Sequence, residues 1–281
     1  MDPDAYRDEA LARWDEAAAG WEARREDFQR AAQPISIWMI DHLNPQPGHT
    51  ILELAAGPGD TGLLAAELVQ PGGKVILTDA SPKMVEVAER RAAELGVRNV
   101  EARVMGAEWI DLPTASVDGV LCRFGYMLLA DPESSLRETR RTLRRGGRVA
   151  LAAWTSGEDN PWMTSITKTL VELGHATPPP ADEPGPMAFA EPGMIERLLD
   201  EAGFADVVVE PLDFTFRFDS TDAHYEHQRE MSTRVREHVA HLSPAEHSQL
   251  RDAIDEKLAP YVADDGSVEI PARTWVAAAV A

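Results

Sequence analysis

Cysteine is almost missing from this chain: among 281 residues there is one, Cys122. No intramolecular disulfide can form, so a reducing cytoplasm is the simplest compartment to expect. Cationic side chains are also scarce. Lys and Arg together number 27 against 48 Asp and Glu, leaving a formal net charge of -21. A nucleic-acid backbone is held by clustered Lys and Arg, so nucleic acid is not an expected partner. The same charge disfavours anionic membrane surfaces, and its plain reading is solubility. The sequence contains no run of about 18 apolar residues, so no transmembrane helix is expected. The opening stretch MDPDAYRDEALARWDEAAAGW is acidic and lacks the apolar segment of a secretory signal. There is no Cys/His/carboxylate spacing typical of zinc and no internal repeat. The sequence does not specify an oligomeric state.

What is present is a globular composition, 44% hydrophobic, arranged in a clear rhythm. Helical spacing covers residues 4–30 and again 34–43, ending at the breaker cluster Asn44-Pro45-Gln46-Pro47-Gly48. Strands at 50–55, 75–78, 99–105, 117–122 and 148–154 then alternate with helices at 60–69, 82–95 and 132–144. Ser81 and Pro82 supply an N-cap and first-turn pair for the second of these helices. Such alternation implies a parallel sheet with helices on both faces. Beyond Trp154 the pattern predicts a helix near 161–174, the proline-rich loop HATPPPADEPGP and a helix at 191–203. It continues with short strands at 206–210 and 213–218, helices at about 221–240 and 244–259, and a last strand at 267–280. The organisation is an α/β core with an N-terminal helical lid over residues 1–47. Cofactor-binding units would span 48–155, and the rest of the sheet with helical cap insertions 156–281.

The chemistry concentrates in Ile51–Gly62, ILELAAGPGDTG. An apolar strand, a glycine-rich turn and a helix start bring bare backbone close to a nucleotide-like ligand. Gly57, Gly59 and Gly62 satisfy G-x-G-x-x-G. Glu53 does not suit a plain dinucleotide loop, because a carboxylate inside a buried parallel strand needs a cationic or hydrogen-bonding partner. A ligand ammonium group would serve. Asp79 closes the next strand, where its carboxylate reaches either ribose hydroxyls or, as a helix cap, the following backbone.

Five segments in order, ELAAGPG, TDASPKMVEVAERRA, VMGAEWIDLP, VDGVLCRFGYMLLAD and LRRGGRVALAAW, span roughly residues 50–155. Together they resemble class I S-adenosylmethionine-dependent methyltransferases, and within them the ubiquinone/menaquinone-biosynthesis and small-molecule group. The resemblance implies a Rossmann-like, doubly wound, mostly parallel seven-stranded sheet. It implies methyl transfer from S-adenosylmethionine to a small-molecule oxygen, nitrogen or carbon by in-line displacement, with no metal. It places Glu53 and the backbone of Ala55 and Gly57 near the methionine ammonium. Gly57 and Gly59 would lie under the methionine and ribose, Asp79 on the ribose hydroxyls, and Ala80 and Met84 against the adenine. The Ala107 N–H would meet an adenine ring nitrogen, and the Arg123 carbonyl would face the amino group. Gly62 adds nothing to that assignment. Where the family usually has an Asp for the adenine amino group, this chain has Gly106.

Trp14, Trp21, Trp38, Trp109, Tyr126, Met127 and Trp162 suggest an apolar or aromatic acceptor, with Trp21, Trp38, Tyr126 and Met127 as candidate acceptor contacts. His224 and His227 are i, i+3 neighbours whose plain reading is a solvated helix face, so no general base is assigned. Cys122 reads as a small core residue. Two other functions remain possible. An NAD(P)-linked oxidoreductase would fit the glycine pattern, but Glu53, Pro58 and the lack of a Tyr-x-x-x-Lys pair count against it. A non-catalytic, methyltransferase-like binding module would fit the change at Gly106.

Overall fold

The computed structural model describes residues 2–178, 180 and 183–281; Met1 and, within the proline-rich loop, Pro179, Ala181 and Asp182 lie outside the described residues. Seven strands form one sheet: β1 (Thr50–Glu53), β2 (Lys74–Asp79), β3 (Val100–Val104), β4 (Val117–Arg123), β5 (Leu143–Trp154), β6 (Ala205–Phe218) and β7 (Val268–Val280). Their order is β3-β2-β1-β4-β5-β7-β6. β1 to β5 pair in parallel, whereas β7 runs antiparallel to both β5 and β6. Chain order reverses between β1 and β4, so the carboxyl edge there is the switch point at which open α/β sheets bind ligands.

The helices are α1 (Pro3–Leu43), α2 (Asp60–Leu68), α3 (Pro82–Glu94), α4 (Pro132–Thr142), α5 (Pro161–Glu172), α6 (Met194–Glu201), α7 (Thr221–Met231), α8 (Thr233–Ala240) and α9 (Pro244–Leu258). The central strands read as buried apolar runs, with Ile51, Leu52, Val75, Val120, Val149 and Ala150 at 0% exposure. This is the pattern of a parallel sheet covered on both faces.

α1 departs from the expected pair of helices. It is one helix of 41 residues, roughly 60 Å long at the α-helical rise. Asp2 caps its start and left-handed Asn44 ends it. Pro34 lies inside it. A proline removes one backbone hydrogen bond there, while Ala32, Ile35, Ser36, Met39 and Ile40 around it are fully or nearly fully buried. Packing of that face carries the helix through the break. Its C-terminal half lies on the sheet, and its N-terminal half crosses the carboxyl edge.

Three other boundaries differ for local reasons. The expected strands 206–210 and 213–218 are the single β6, because β6 is an edge strand and tolerates the missing N–H of Pro211. The expected helix over 221–240 is divided at Ser232, whose hydroxyl caps a new helix by accepting from the Val235 N–H. α4 stops at Thr142, and Gly146-Gly147 lies within β5, where the β4–β5 register shifts. Among the described residues no helix is long and apolar enough to cross a membrane.

Candidate functional site

The glycine-rich turn is folded by its own hydrogen bonds. The Leu54 N–H donates to Leu121 O at 2.8 Å, Ala56 N–H to Thr78 O at 2.9 Å and Gly59 N–H to Ala56 O at 2.9 Å. Ala55 and Gly57 take φ of 49° and 52°, and Gly59 takes 81° as the residue before α2. The left-handed conformation is costly for Ala55, a kind of backbone strain that clusters at ligand sites. No described atom lies within 4 Å of a Cβ built on Gly57, so its outer face is open backbone.

Glu53 is 2% exposed. Its Oε2 accepts from the Gly62 N–H at 2.9 Å. A Cβ on Gly62 would stand 2.4 Å from that oxygen and 2.4 Å from Leu77 Cδ2. The third glycine is therefore not incidental: it lets α2 approach the carboxyl and deliver a donor to it. Burial raises the Glu53 carboxyl to about 8, against the opposing influence of the Arg123 guanidinium and the Gly62 N–H. A neutral acid at the end of a buried strand is the state expected when no full cation sits against it.

Asp79 stands beside it, half-buried at the end of β2. Its Oδ2 accepts from the Gly57 N–H and its Oδ1 from the Ser81 N–H, both at 2.9 Å. Asp79 thus fastens the turn before α3 and holds the glycine turn; the α3 N-cap itself is Ser81, not Asp79. Burial raises its pKa, with Asp15 nearby acting in the same direction. Ala80 is exposed, Met84 is 2% exposed, and Ala107 is buried with its carbonyl accepting from Ser135 Oγ at 2.7 Å. Gly106 is exposed, and no described atom lies within 4 Å of a Cβ built there. Glu53, Ala55, Gly57, Gly59, Asp79 and Ala80 share one edge.

Arg123 does more than present a carbonyl. Its Nη1 donates to Gln29 Oε1 at 2.7 Å and Ser36 Oγ at 2.8 Å on α1. Its guanidinium lies 5.7 Å from the Phe28 ring centroid. One side chain thus links α1 to the surroundings of Glu53. Other contacts of α1 lie around the same edge. Arg25 pairs with Asp60 at 2.9 Å with both side chains largely buried. Arg24 makes a two-pronged pair with Glu230, and Arg90 holds Glu22. Arg7 pairs with Glu108, Tyr6 Oη donates to Leu128 O, and Asp15 accepts from Ser81 Oγ. Sequence reading missed Asp15, Gln29 and the side chain of Arg123, because polar residues on a long amphipathic helix carry no local mark of what they meet.

The aromatic candidates separate. Trp14, Trp21, Phe28 and Trp162 form a connected series, with centroids 6.0 Å apart for Trp14–Trp21, 5.1 Å for Trp21–Phe28 and 6.2 Å for Phe28–Trp162. Trp38 is elsewhere: it stacks on His42 at 3.6 Å and donates to Glu210. Trp109 is 82% exposed. Tyr126 and Met127, in the short turn Tyr126–Leu128 after β4, are buried in the core, and the Tyr126 hydroxyl is paired with Thr139 at 2.7 Å. The expected acceptor contacts at Trp38, Tyr126 and Met127 are thus corrected. Two of these side chains are taken up by packing and one by a contact along α1. His224 and His227 are a correction of the opposite kind. They are 0% and 1% exposed, because their face of α7 packs inward on Phe218. Cys122 is buried at 0% exposure, and burial pushes its thiol up to about 12, so it is an inert core group. Among the described residues no cluster of three His, Cys, Asp or Glu is placed to hold a metal ion.

The raised Glu53 carboxyl gives a signed expectation. An acid that is neutral when folded and ionised when unfolded stabilises the fold below its unfolded value near 4.5. That stability is lost as pH rises towards 8, at about 1.4 kcal/mol per unit. In thermal unfolding from pH 5 to pH 9, Glu53→Gln should lose much of this decline and gain on the wild type as pH rises. Parallel curves for the two proteins would contradict the assignment.

Comparison with known proteins agrees with this geometry. The description of a methyltransferase domain matches residues 45–203, more than half of the chain. A ubiquinone/menaquinone biosynthesis C-methyltransferase, UbiE, of Hahella chejuensis is 35% identical over 111 residues, 39% of this chain and 45% of that protein. A nocamycin O-methyltransferase of Saccharothrix syringae is 28% identical over 221 residues, 75% of this chain and 77% of that protein. The crystal structure of YcgJ from Bacillus subtilis superposes with a TM-score of 0.59 at 18% identity, covering 88% of this chain and 98% of that one, a likeness of fold. The chain spans about half the length of several curated relatives it matches. The sheet order, the glycine turn at its switch point and the matched span lead to one conclusion: the chain belongs to the methyltransferase-domain family.

Proposed function

We propose that this protein transfers a methyl group from S-adenosylmethionine to a small-molecule acceptor. The observation that carries the reading is Glu53. A carboxyl buried at the end of the first strand, beside an open glycine backbone and a second carboxylate, suits a ligand with an ammonium at one end and a ribose in its middle. The sulfonium of the bound cofactor supplies an electrophilic methyl group. The protein's work is to bind, align and keep out water. Glu53, with the backbone of Ala55 and Gly57, holds the ammonium end, and the Arg123 carbonyl faces it from β4. Gly57 and Gly59 let the chain lie against the methionine and ribose portions. Asp79, already oriented by the Gly57 and Ser81 N–H groups, takes the ribose hydroxyls. Ala80 and Met84 flank the adenine, and the Ala107 N–H meets a ring nitrogen.

The division of labour follows the chain: residues 1–47 act as the lid, 48–155 as the cofactor unit, and 156–281 complete the sheet and cap the acceptor. The acidic balance supports a small-molecule partner rather than nucleic acid. The single buried thiol supports a reducing cytoplasm as the site of action.

Calorimetric titration with S-adenosylhomocysteine and with NAD tests the reading. Binding of the first and not the second is expected; binding of NAD alone would favour an oxidoreductase, and binding of neither a non-catalytic module. In the same titration, Gly106→Asp should tighten S-adenosylhomocysteine by up to about tenfold. The space at Gly106 is open, and one added hydrogen bond is worth about 0.5–1.5 kcal/mol. Unchanged or weaker binding would contradict that role for position 106.

A further inference from the structure

Asp15 of α1 reaches the first turn of α3, 66 residues further along the chain. Its Oδ1 accepts from the Ser81 hydroxyl and, at 3.5 Å, from the Lys83 N–H. Ser81 is the N-cap of α3 and is fully buried. Its Oγ accepts from the Met84 N–H at 3.1 Å, and its own N–H donates to Asp79 Oδ1 at 2.9 Å. The direction of each bond is settled by chemistry. A backbone N–H only donates, so the single hydroxyl proton of Ser81 goes to Asp15. A hydroxyl donating to a carboxylate makes a strong, charge-assisted bond. One buried serine therefore holds two carboxylates, Asp15 through its hydroxyl and Asp79 through its backbone.

Glu22 lies two turns further along α1 and pairs with Arg90 of α3 at 2.9 Å. That pair is solvent-exposed, and such pairs are weak. The sheltered end of the α1–α3 contact is Asp15 on Ser81, where the N–H groups of a helix start favour a negative charge. The same placement sets a like charge beside Asp79. Burial raises the Asp79 pKa and Asp15 adds to the rise, while the Ser81, Gly57 and Ala80 N–H groups oppose it. Glu53 of β1 and Cys122 of β4 face the same carboxyl from the neighbouring strands. Each Asp79 oxygen already accepts one N–H and has a second lone pair for a further donor. A ribose hydroxyl donates best to the ionised form, so the charge of Asp15 makes that hold more sensitive to acid.

We propose that Asp15 is a positioning residue of the cofactor site: through Ser81 it seats α1 on the first turn of α3 and ties that helix to the ribose-holding carboxylate Asp79. Asp15 acts on the cofactor only through Ser81 and Asp79. The inference rests on the methyl-transfer reading and on the ribose role of Asp79 within it. It gives the N-terminal helix a defined part in holding the cofactor.

The test is calorimetric titration with 5′-methylthioadenosine at pH 5 and pH 7. This probe has the adenine and ribose but no ammonium, so Glu53, raised to about 8, stays neutral throughout and drops out of the comparison. Wild-type affinity should fall on acidification, as Asp79 takes up a proton. Asp15→Asn keeps an oxygen for the Ser81 hydroxyl but removes the charge. It should bind as the wild type does at pH 7, with a ratio of affinities between pH 7 and pH 5 about twofold smaller or more. Asp15→Ala removes charge and hydrogen bond together, and should also bind about three- to tenfold more weakly at pH 7. Both variants are checked for fold by circular dichroism. A pH ratio unchanged in Asp15→Asn, or Asp15→Ala indistinguishable from Asp15→Asn at both pH values, would overturn the proposal. Equal wild-type affinity at the two pH values would do the same, whatever the variants show. Binding of S-adenosylhomocysteine but not of 5′-methylthioadenosine at pH 7 would also overturn it, because the ribose end then has no hold of its own. Binding of neither ligand by the wild type would instead overturn the methyl-transfer reading beneath it.

Discussion

A carboxyl group removed from water, with only one backbone N–H and a neighbouring guanidinium to compensate it, is the constraint around which the carboxyl edge is organised. Glu53 is the last residue of β1, at the point where the sheet order reverses. Gly62 has no side chain because α2 must approach that carboxyl. The Arg123 guanidinium at the end of β4 opposes the effect of burial without pairing with the carboxyl, and is itself held by Gln29 and Ser36 of α1. Burial outweighs these contacts, since the group rests well above the ordinary carboxylate range. An incoming cation would resolve the imbalance.

The length of α1 follows from the same packing. α1 is long because it does two jobs in one helix. Its C-terminal half is core, and its N-terminal half spans the site, held at the periphery by ion pairs to α2, α3 and α7. Most of those pairs are solvent-exposed, and exposed pairs are individually weak, about 0–1 kcal/mol. Arg25–Asp60 is the sheltered exception. A clasp of many weak pairs around aromatic contacts can release and re-form more readily than one continuous apolar interface.

Much of this was legible in the chain. The alternation of strands and helices, the glycine turn, Glu53 and Asp79 all have local signatures, and the structure brings them to one edge. The architecture of a seven-stranded, mostly parallel sheet was likewise readable from the ordered motifs. Features set by distant packing were not. Pro34 looks like a boundary, yet burial of Ile35 and Met39 carries the helix past it. His224 and His227 look like a polar surface, yet their face of α7 turns inward on Phe218. Trp38 and Tyr126 have the composition of a ligand mouth, but their partners, Glu210 and Thr139, are 172 and 13 residues away. No local pattern announces such partners.

The central claim is that Glu53 waits as a neutral acid and ionises when a ligand ammonium arrives. Calorimetry of S-adenosylhomocysteine binding at pH 7, repeated in buffers of different ionisation enthalpy, counts the protons exchanged. The account predicts release of close to one proton per ligand by the wild type, falling towards none at pH 9, and a much smaller release by Glu53→Gln. Tight binding with no proton released at pH 7, or the same release from both proteins, would contradict it.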